Sequence, residues 1–276
     1  MTGGITSAVH GLTAERDGLR LVVVLRQYER GQYERVAEHG TRELIEREAR
    51  ILGQAGAAGL AAPGLLAACP GGEDSGGHPS ILMTKVPGHI DLTPSDPGRW
   101  LRQIAVMAAR IHDAPVDAPA FERWIDPARL AAPESSSDPA LWQSVISVLR
   151  ENRGSRETCF IHRDFQHFNF LWARGRLTGV VDWGSASAGP PTIDVGHCRL
   201  NLAVLFGAPW AEQFRLAYVA ETGRRVDPWW DLHALASYGD AWQRFIPRQV
   251  GGRARVDIDG MTARVEEVMR GTLDRI

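Results

Sequence analysis

Lysine, cysteine and long apolar runs are all scarce in this sequence. Lys85 is the single lysine among 31 basic residues. The three cysteines lie far apart and form no Cys-x2-Cys pair, which argues against a zinc site and favours free thiols in a reducing compartment. No apolar run is long enough to span a membrane, and no leader pattern opens the chain. We therefore expect a cytoplasmic protein that is not inserted in a membrane.

A strong charge of either sign is also missing. The formal net charge is −2, and 44% of the 276 residues are hydrophobic while 23% are charged. Such proportions are ordinary for a globular protein. Because a nearly neutral chain has little attraction for nucleic acid or for an anionic membrane surface, we expect neither partner. We expect a monomer or a weak homodimer.

The first third of the chain predicts a small β-rich part with one helix. Apolar, β-branched segments predict strands at Ser7–Thr13, Leu19–Tyr28, Leu65–Ala68 and Ser80–Thr84. The turn signal Arg16-Asp17-Gly18 predicts a hairpin between the first two strands. One apolar face predicts a helix over Thr41–Leu52, with Thr41 as its N-cap and Gly53 as its stop.

The pattern becomes mainly helical after Val86-Pro87-Gly88. Apolar spacing predicts helices at Trp100–Ile111, Leu141–Leu149, Ile193–Phe206, Pro209–Thr222, Pro228–Phe245 and Met261–Leu273. Short strands are predicted at Cys159–Ile161, Phe170–Trp172 and Leu177–Val181. The sequence therefore predicts an α+β protein with two domains, a β-rich one over residues 1–86 and a helical one over residues 87–276.

Three polar side chains stand out in the apolar stretch Cys159–Gly184, namely Asp164, Asn169 and Asp182. Phosphoryl transfer needs a carboxylate that can take a proton from a hydroxyl, and Mg²⁺ prefers carboxylate and carbonyl oxygens. An antiparallel hairpin between Asn169 and Asp182 would return the chain to its starting point. We therefore predict Asp164 as the general base and Asn169 and Asp182 as Mg²⁺ ligands.

Two other interpretations fit parts of this motif. Each of the three residues alone could form a turn or end a strand, but the full string at this spacing favours the magnesium–nucleotide site. His162, Asp164 and His167 could instead bind a metal, but a loop places them at irregular angles and no further histidine or cysteine cluster lies nearby. His162 is expected to pack and to hydrogen-bond the backbone.

These motifs resemble the aminoglycoside phosphotransferase family, and the resemblance covers nearly the whole chain. FIHRDFQHFN is similar to its catalytic loop, VVDWG to its metal loop, SILMTKVPG to its hinge and VVVLRQY to its third strand. The resemblance implies a bilobal, protein-kinase-like fold. A small β-rich N-lobe with one main helix would precede a larger, mainly helical C-lobe that carries the catalytic loop, the metal loop and the acceptor site.

The resemblance also implies ATP or GTP in the cleft between the lobes, Mg²⁺ on the residues named above, and a hydroxyl-bearing small molecule as acceptor. The nucleotide contacts that it implies are Gly3, Gly4, Ser7, Arg26, Glu48, Met83 and Lys85. Among these, Glu48 would pair with a basic residue on strand Val22–Tyr28. Asp194 would brace the loops from the start of a helix, where a carboxylate suits the helix dipole.

The sequence departs from the family pattern at two places. Arg26 stands where the family usually has a lysine on the strand, and arginine keeps the charge and can bind phosphate in a bidentate manner. The stretch Gly3-Gly4-Ile5-Thr6-Ser7 is similar to the family's glycine loop, but it leaves little sequence before it for the strand that leads into the loop. Either the true start lies upstream, or the lobe lacks part of that strand. Either the chain is a small-molecule kinase that uses Arg26, or it is a weak, nucleotide-binding pseudokinase that acts through a partner. The first interpretation is favoured because Asp164, Asn169 and Asp182 are intact.

The acceptor class is less restricted by the sequence. Residues 201–276 contain 10 acidic residues and 10 arginines, so they show no acidic excess for a polycation, and they also contain four tryptophans. An aminoglycoside, another antibiotic, an amino sugar or a choline-like alcohol would each fit. A protein substrate is disfavoured because no Ala-Pro-Glu string and no long loop follow Asp182-Trp183-Gly184.

Overall fold

The structure is a computed structural model that describes residues 7–28, 40–151 and 153–276. Its strands are β1 (Ala8–Arg16), β2 (Leu19–Gln27), β3 (Leu65–Cys69), β4 (Ser80–Thr84), β5 (Cys159–Ile161), β6 (Phe170–Ala173), β7 (Arg176–Val180) and β8 (Ser187–Gly189). Its helices are α1 (Thr41–Ala57), α2 (Pro97–His112), α3 (Pro139–Arg150), α4 (Pro191–Phe206), α5 (Ala208–Thr222), α6 (Pro228–Leu235), α7 (Ala241–Val250) and α8 (Met261–Leu273). A 3-10 turn covers His167–Asn169.

An antiparallel sheet with the order β1-β2-β4-β3 forms the N-terminal part. The predicted hairpin is confirmed, because β1 pairs with β2 across a turn in which Asp17 and Gly18 have φ values of 51° and 76°. β2 also pairs with β4, so it is an interior strand, and Arg26 lies opposite Ile81 there. Helix α1 packs against β3 and β4 through its buried apolar side.

Helix α1 differs from its prediction at both ends. It begins at Thr41 with Gly40 as the N-cap, so Thr41 does not cap it, and it continues through the predicted stop at Gly53 to Ala57. The helix continues because Ala55 is fully buried, which extends the apolar face by another turn.

The true end of α1 is a Schellman motif. The Leu60 N–H donates to the Ala55 carbonyl oxygen, and the Gly59 N–H donates to the Gly56 carbonyl oxygen, each at 3.0 Å. Gly59 has a φ of 72°, which is the left-handed conformation that this motif needs. The helix therefore ends at the glycine whose conformation stops it, six residues after the predicted one.

Helix α4 lies at the centre of the C-terminal part. It packs against α5, α6 and α8 and is buried around most of its circumference. Apolar residues lie on every side of it, with a few polar residues among them, and an apolar surface all round is typical of a helix in such a buried position. Polar residues on α4 are therefore held in the interior, and two of them, Asp194 and His197, reach the segment before β6.

The predicted hairpin that follows Asn169 is also confirmed. β6 and β7 pair antiparallel, and Arg174 and Gly175 form the turn with φ values of 51° and 69°. The sequence did not predict β8, which pairs with β5 over only three residues. Its sequence, Ser-Ala-Gly, has none of the β-branched or aromatic residues that indicate a strand, whereas the equally short β5 has Phe160 and Ile161.

The single helix predicted over Pro228–Phe245 is wrong, because the chain forms α6 and α7 with a turn between them. Asp240 in this turn accepts hydrogen bonds from the backbone N–H groups of Glu134 and Ser135, at 2.8 and 3.0 Å. These distant partners hold the turn, which explains why local apolar spacing did not show it.

The α+β fold class is confirmed, since an antiparallel sheet precedes a larger helical part. The domain boundary between residues 86 and 87 stays a prediction. Within the described ranges, none of the helices has both the length and the apolar character required of a membrane span.

At Gly88 the segment after β4 passes close to the hairpin of β6 and β7. The neighbouring His89 and Trp172 exchange two backbone hydrogen bonds, at 3.0 and 2.8 Å. Gly88 has a φ of 118°, and a Cβ placed on it would lie 2.5 Å from the Trp172 carbonyl oxygen. A side chain is therefore excluded both by the backbone conformation and by the space.

We expect Gly88→Ala to lower the free energy of unfolding by about 3 kcal/mol, since the Cβ would push Trp172 away and break these hydrogen bonds. Gly175→Ala is the matched control, because Gly175 also has a positive φ but no atom lies within 4 Å of its Cβ position. Gly175→Ala should lower the free energy of unfolding by about 1 kcal/mol. Urea unfolding of both variants measures the difference, and equal losses would contradict the steric argument.

Candidate active site

Asp164 lies at the centre of a hydrogen-bonded group in the loop between β5 and β6. Its Oδ1 atom accepts hydrogen bonds from Gln166 Nε2 at 2.7 Å and from His197 Nε2 at 3.0 Å, and its Oδ2 atom accepts one from Asn169 Nδ2 at 2.7 Å. Burial would raise the pKa of Asp164, but the hydrogen bond from His197 and the electrostatic effect of the neighbouring imidazoles lower it. The carboxylate is therefore ionised and available as a base.

Asp194 braces the backbone of this loop, as the sequence predicted. Its two carboxylate oxygens accept the N–H groups of His162 and Arg163 at 2.8 and 2.7 Å. Arg163 has a φ of 70°, a conformation that a non-glycine residue adopts only when its surroundings impose it. His112 Nε2 lies 3.2 Å from the same carboxylate and its Nδ1 lies 2.8 Å from the Tyr218 hydroxyl, so Asp194 is itself held in place.

The two histidines of the rival metal site are both packed in the interior. His162 Nε2 lies 3.1 Å from the Val181 carbonyl oxygen, and its ring packs against Trp183 with the ring centres 4.6 Å apart. Burial lowers the pKa of His167 to about 3, so its imidazole is neutral. In the described part of the chain, no group of three histidine, cysteine or acidic residues has the arrangement of a metal site.

Asn169 links Asp164 to the segment after β7. Its Nδ2 atom donates to the Asp164 carbonyl oxygen at 2.8 Å as well as to the Asp164 carboxylate. Its own carbonyl oxygen accepts the N–H of Val181 at 3.0 Å, which brings the chain back beside it just before Asp182. Because the amide nitrogen faces Asp164, the Oδ1 atom of Asn169 is left as the side-chain acceptor.

Asp182 has a φ of 68°, and its side chain remains 41% exposed. Its Oδ1 atom lies 2.7 Å from Arg26 Nη1. Carboxylate and amide oxygens of this kind are the ligands that a hard divalent cation prefers, and Mg²⁺ typically takes only one or two protein ligands beside phosphates and water. The oxygens of Asn169 and Asp182 therefore fit a magnesium site.

Arg26 is the point where the sheet, helix α1 and the segment after β7 meet. Its Nη1 atom contacts both Asp182 and Glu48 Oε1, the latter at 3.0 Å, while its Nε atom donates to Ser7 Oγ at 2.9 Å. Tyr28 donates its hydroxyl to the other Glu48 oxygen at 2.8 Å. Burial alone would lower the pKa of Arg26, but Asp182 and Glu48 raise it well above its ordinary value. Arg26 is thus a permanent cation held between two carboxylates.

The other predicted nucleotide contacts fall into three groups. Ser7 lies beside Arg26, as described above. Met83 on β4 is buried in the apolar core, and Lys85 is exposed just after β4, where its N–H lies 3.4 Å from the Val22 carbonyl oxygen. Gly3 and Gly4 lie outside the described residues.

Two residues of the site were not predicted from the sequence. Gln166 and His197 both hydrogen-bond the carboxylate of Asp164, and the sequence analysis identified neither as a site residue. For His197 a signal was present, because it follows Asp194 by three residues on a helix, and residues with this spacing lie on the same helix face. A helix face that braces the catalytic loop at Asp194 therefore also carries His197 toward it.

Comparisons with known proteins identify a family and similar folds. The model of the phosphotransferase enzyme family, APH, matches residues 13–238. A putative aminoglycoside phosphotransferase from Ralstonia eutropha JMP134 has 16% sequence identity and a TM-score of 0.62, and the match covers 99% of this chain and 94% of that one. A comparison with the curated proteins found no match.

Two further solved structures show the same fold. Aminoglycoside phosphotransferase APH(4)-Ia has 16% identity and a TM-score of 0.61, with 99% of this chain and 92% of that chain covered. Macrolide 2'-phosphotransferase MphH from Brachybacterium faecium has 20% identity and a TM-score of 0.52, with 99% and 90% covered. The bilobal, kinase-like fold that the sequence predicted is thereby confirmed. Because the family model matches most of the sequence, this chain belongs to the phosphotransferase enzyme family.

Proposed function

We propose that this protein transfers the γ-phosphate of ATP or GTP to a hydroxyl of a small molecule, namely an aminoglycoside, another antibiotic or an amino sugar. The observation that carries the proposal is that the backbone hydrogen bond from Val181 to Asn169 brings the segment of the Arg26–Asp182 pair beside the Asp164–Asn169 pair. A base and a hydrogen-bonded amide meet a carboxylate and a cation in this arrangement, which are the groups that phosphoryl transfer uses.

Asp164 is proposed as the general base. It is ionised, and it is fixed by donors from three residues, so it can orient an acceptor hydroxyl and take up the proton as the hydroxyl attacks.

Asn169 and Asp182 are proposed to hold Mg²⁺ through Oδ1 of the amide and the carboxylate. A bound Mg²⁺ would neutralise negative charge on the phosphate oxygens of the nucleotide. The backbone hydrogen bond from the Val181 N–H to the Asn169 carbonyl oxygen keeps Asn169, just before β6, close to the segment that carries Asp182, just after β7, so the pair is arranged before any ligand binds.

Arg26 is proposed to bind the phosphates in place of the lysine that the family pattern has at this position. Glu48 and Ser7 fix its guanidinium, and Tyr28 fixes Glu48 in turn. A guanidinium can present two parallel N–H donors to a phosphate, so the substitution preserves the charge and the donor function. Since the predicted base and metal ligands accompany it, this arrangement favours an active enzyme over a pseudokinase.

Structural neighbours with bound ligands support this proposal. One of them is the amicoumacin kinase hAmiN in complex with AMP-PNP, Ca²⁺ and Ami, and another is a thermostable mutant of APH(4)-Ia in a ternary complex with AMP-PNP and hygromycin B. Both neighbours thus bind a nucleotide analogue together with a small molecule. A cytoplasmic location and a monomeric or weakly dimeric state are part of the same proposal.

The decisive experiment measures consumption of ATP and of GTP with Mg²⁺ over a panel of hydroxylated antibiotics and amino sugars. Turnover with one acceptor would establish the activity and identify the acceptor class. If the protein binds nucleotide but transfers phosphate neither to any acceptor of the panel nor to water, the pseudokinase interpretation is favoured instead.

We expect Asp164→Asn to lower kcat by about 10³-fold, because the amide cannot take up a proton. The dissociation constant for the nucleotide should stay within about twofold, since Asp164 is assigned to the acceptor side of the site. Steady-state kinetics and calorimetric titration measure the two quantities. Retention of wild-type kcat would show that another group is the base.

Asp182→Ala should remove the part of the nucleotide affinity that depends on Mg²⁺, since one of two proposed protein ligands is lost. Calorimetric titration with Mg²⁺ and again with EDTA separates that part from the rest. If the variant keeps the wild-type difference between the two titrations, Asp182 is not a metal ligand.

Arg26→Ala should weaken nucleotide binding by about tenfold or more, because it removes the cation and leaves Glu48 buried without its partner. Arg26→Lys should recover much of the affinity, since it keeps the charge. Arg20→Ala is the matched control, as Arg20 lies on the same strand with its side chain 73% exposed. Calorimetric titration compares the three variants, and an unchanged affinity in Arg26→Ala would mean that another residue binds the phosphates.

A further inference from the structure

The two carboxylate oxygens of Asp164 are not equivalent. Oδ1 accepts hydrogen bonds from Gln166 and His197, whereas Oδ2 accepts one, from Asn169. Each oxygen of an ionised carboxylate offers about two acceptor positions. Oδ1 is therefore fully occupied within the described residues, and Oδ2 keeps one position for a further donor.

The side chain of His197 is held against Oδ1 by the residues packed around it. It lies on the buried helix α4, its side chain is only 11% exposed, and its ring packs against Trp124 with the ring centres 4.9 Å apart. Asn201 Nδ2 donates to the His197 carbonyl oxygen at 3.0 Å, one helical turn further on, and lies at 3.4 Å from Nε2. Because an ionised carboxylate can only accept, Nε2 of His197 must carry the proton in the contact with Asp164.

Helix α4 thus contacts the loop that carries Asp164 at two places, once through the backbone of the loop and once through the Asp164 side chain. Asp194 binds the backbone N–H groups of residues 162 and 163, and His197, three residues later, binds the side chain of residue 164. Trp124 belongs to the long connection between α2 and α3, so the ring of His197 also links that connection to the base.

We propose that His197 is a positioning residue that donates Nε2–H to Oδ1 of Asp164 and thereby reserves Oδ2 for the acceptor hydroxyl. The inference rests on the proposed function. As the acceptor oxygen forms its bond to the γ-phosphorus, the bond from that phosphorus to the β–γ bridging oxygen breaks. The nucleoside diphosphate leaves with that electron pair, and the hydroxyl proton moves to Oδ2. Without His197, Gln166 is the one donor from the described chain left on Oδ1 and that oxygen regains an open acceptor position, so the carboxylate is held less firmly and the acceptor hydroxyl can bind Oδ1 as well as Oδ2.

Two substitutions at this position separate the hydrogen bond from the packing. His197→Gln keeps an N–H donor, whereas His197→Leu keeps an apolar side chain against Trp124 but has no donor. We expect His197→Leu to lower kcat by about 30-fold, with the acceptor KM and the nucleotide dissociation constant within about twofold of wild type. His197→Gln should restore kcat to within about threefold of wild type.

The kinetic result can overturn the inference in two ways. A wild-type kcat in His197→Leu would show that Asp164 does not need this donor. Equal losses of kcat in the two variants, or a loss that appears only in the acceptor KM, would assign His197 to packing or to acceptor contact. Thermal unfolding of both variants checks that each is folded at the assay temperature.

A second measurement does not depend on turnover. Two-bond ¹H–¹⁵N spectra of the imidazole rings show which ring nitrogen carries the proton, and His197→Gln identifies the signals of His197. We expect a protonated Nε2 whose signal shifts in Asp164→Ala, and an unprotonated Nε2 would overturn the inference. If the wild-type protein transfers phosphate to no acceptor and not to water, the proposed function fails, and these spectra still decide whether His197 donates to Asp164.

Discussion

The ion pair between Arg26 and Glu48 is the interaction on which the arrangement of the site depends. Glu48 is almost fully buried, and a carboxylate in that position is stable only beside a cation and hydrogen-bond donors, which Arg26 and Tyr28 supply. Removal of one partner from such a pair costs about 3–5 kcal/mol, because the other charge stays buried and unpaired. Since the same guanidinium reaches Asp182, the pair sets the sheet, helix α1 and the segment after β7 in fixed relative positions.

The parts of the site that the sequence could predict are close together along the chain or joined by a short hairpin. Asp164 and Asn169 are five residues apart, and the hairpin of β6 and β7 returns the chain to Asn169 just before Asp182, so spacing and turn chemistry were sufficient. The pairing of Glu48 with Arg26 joins residues far apart in sequence, and only the resemblance to a known family pointed to it.

The parts that the sequence could not predict depend on contacts between distant segments. His197 reaches Asp164 only because helix α4 passes beside the loop, and the sequence does not show which face of a buried helix meets which loop. The end of α1 was misplaced because two glycines in the helix resemble the one at its end, and only the left-handed φ of Gly59 distinguishes them. The turn before α7 is held because the carboxylate of Asp240 accepts a hydrogen bond from the backbone N–H of Glu134, about a hundred residues earlier in the chain.

An arginine at position 26, which is proposed to bind phosphate, also changes the covalent chemistry of the proposed nucleotide site. A guanidinium stays protonated in water, so Arg26 is not a nucleophile toward acylating or aldehyde reagents that react with the free amine of a lysine. Lys85, the single lysine, is exposed just after β4 and is the only side-chain amine in the whole sequence. An amine-directed reagent carried by a nucleotide would therefore find, at the position proposed to bind its phosphates, an arginine to which it cannot attach.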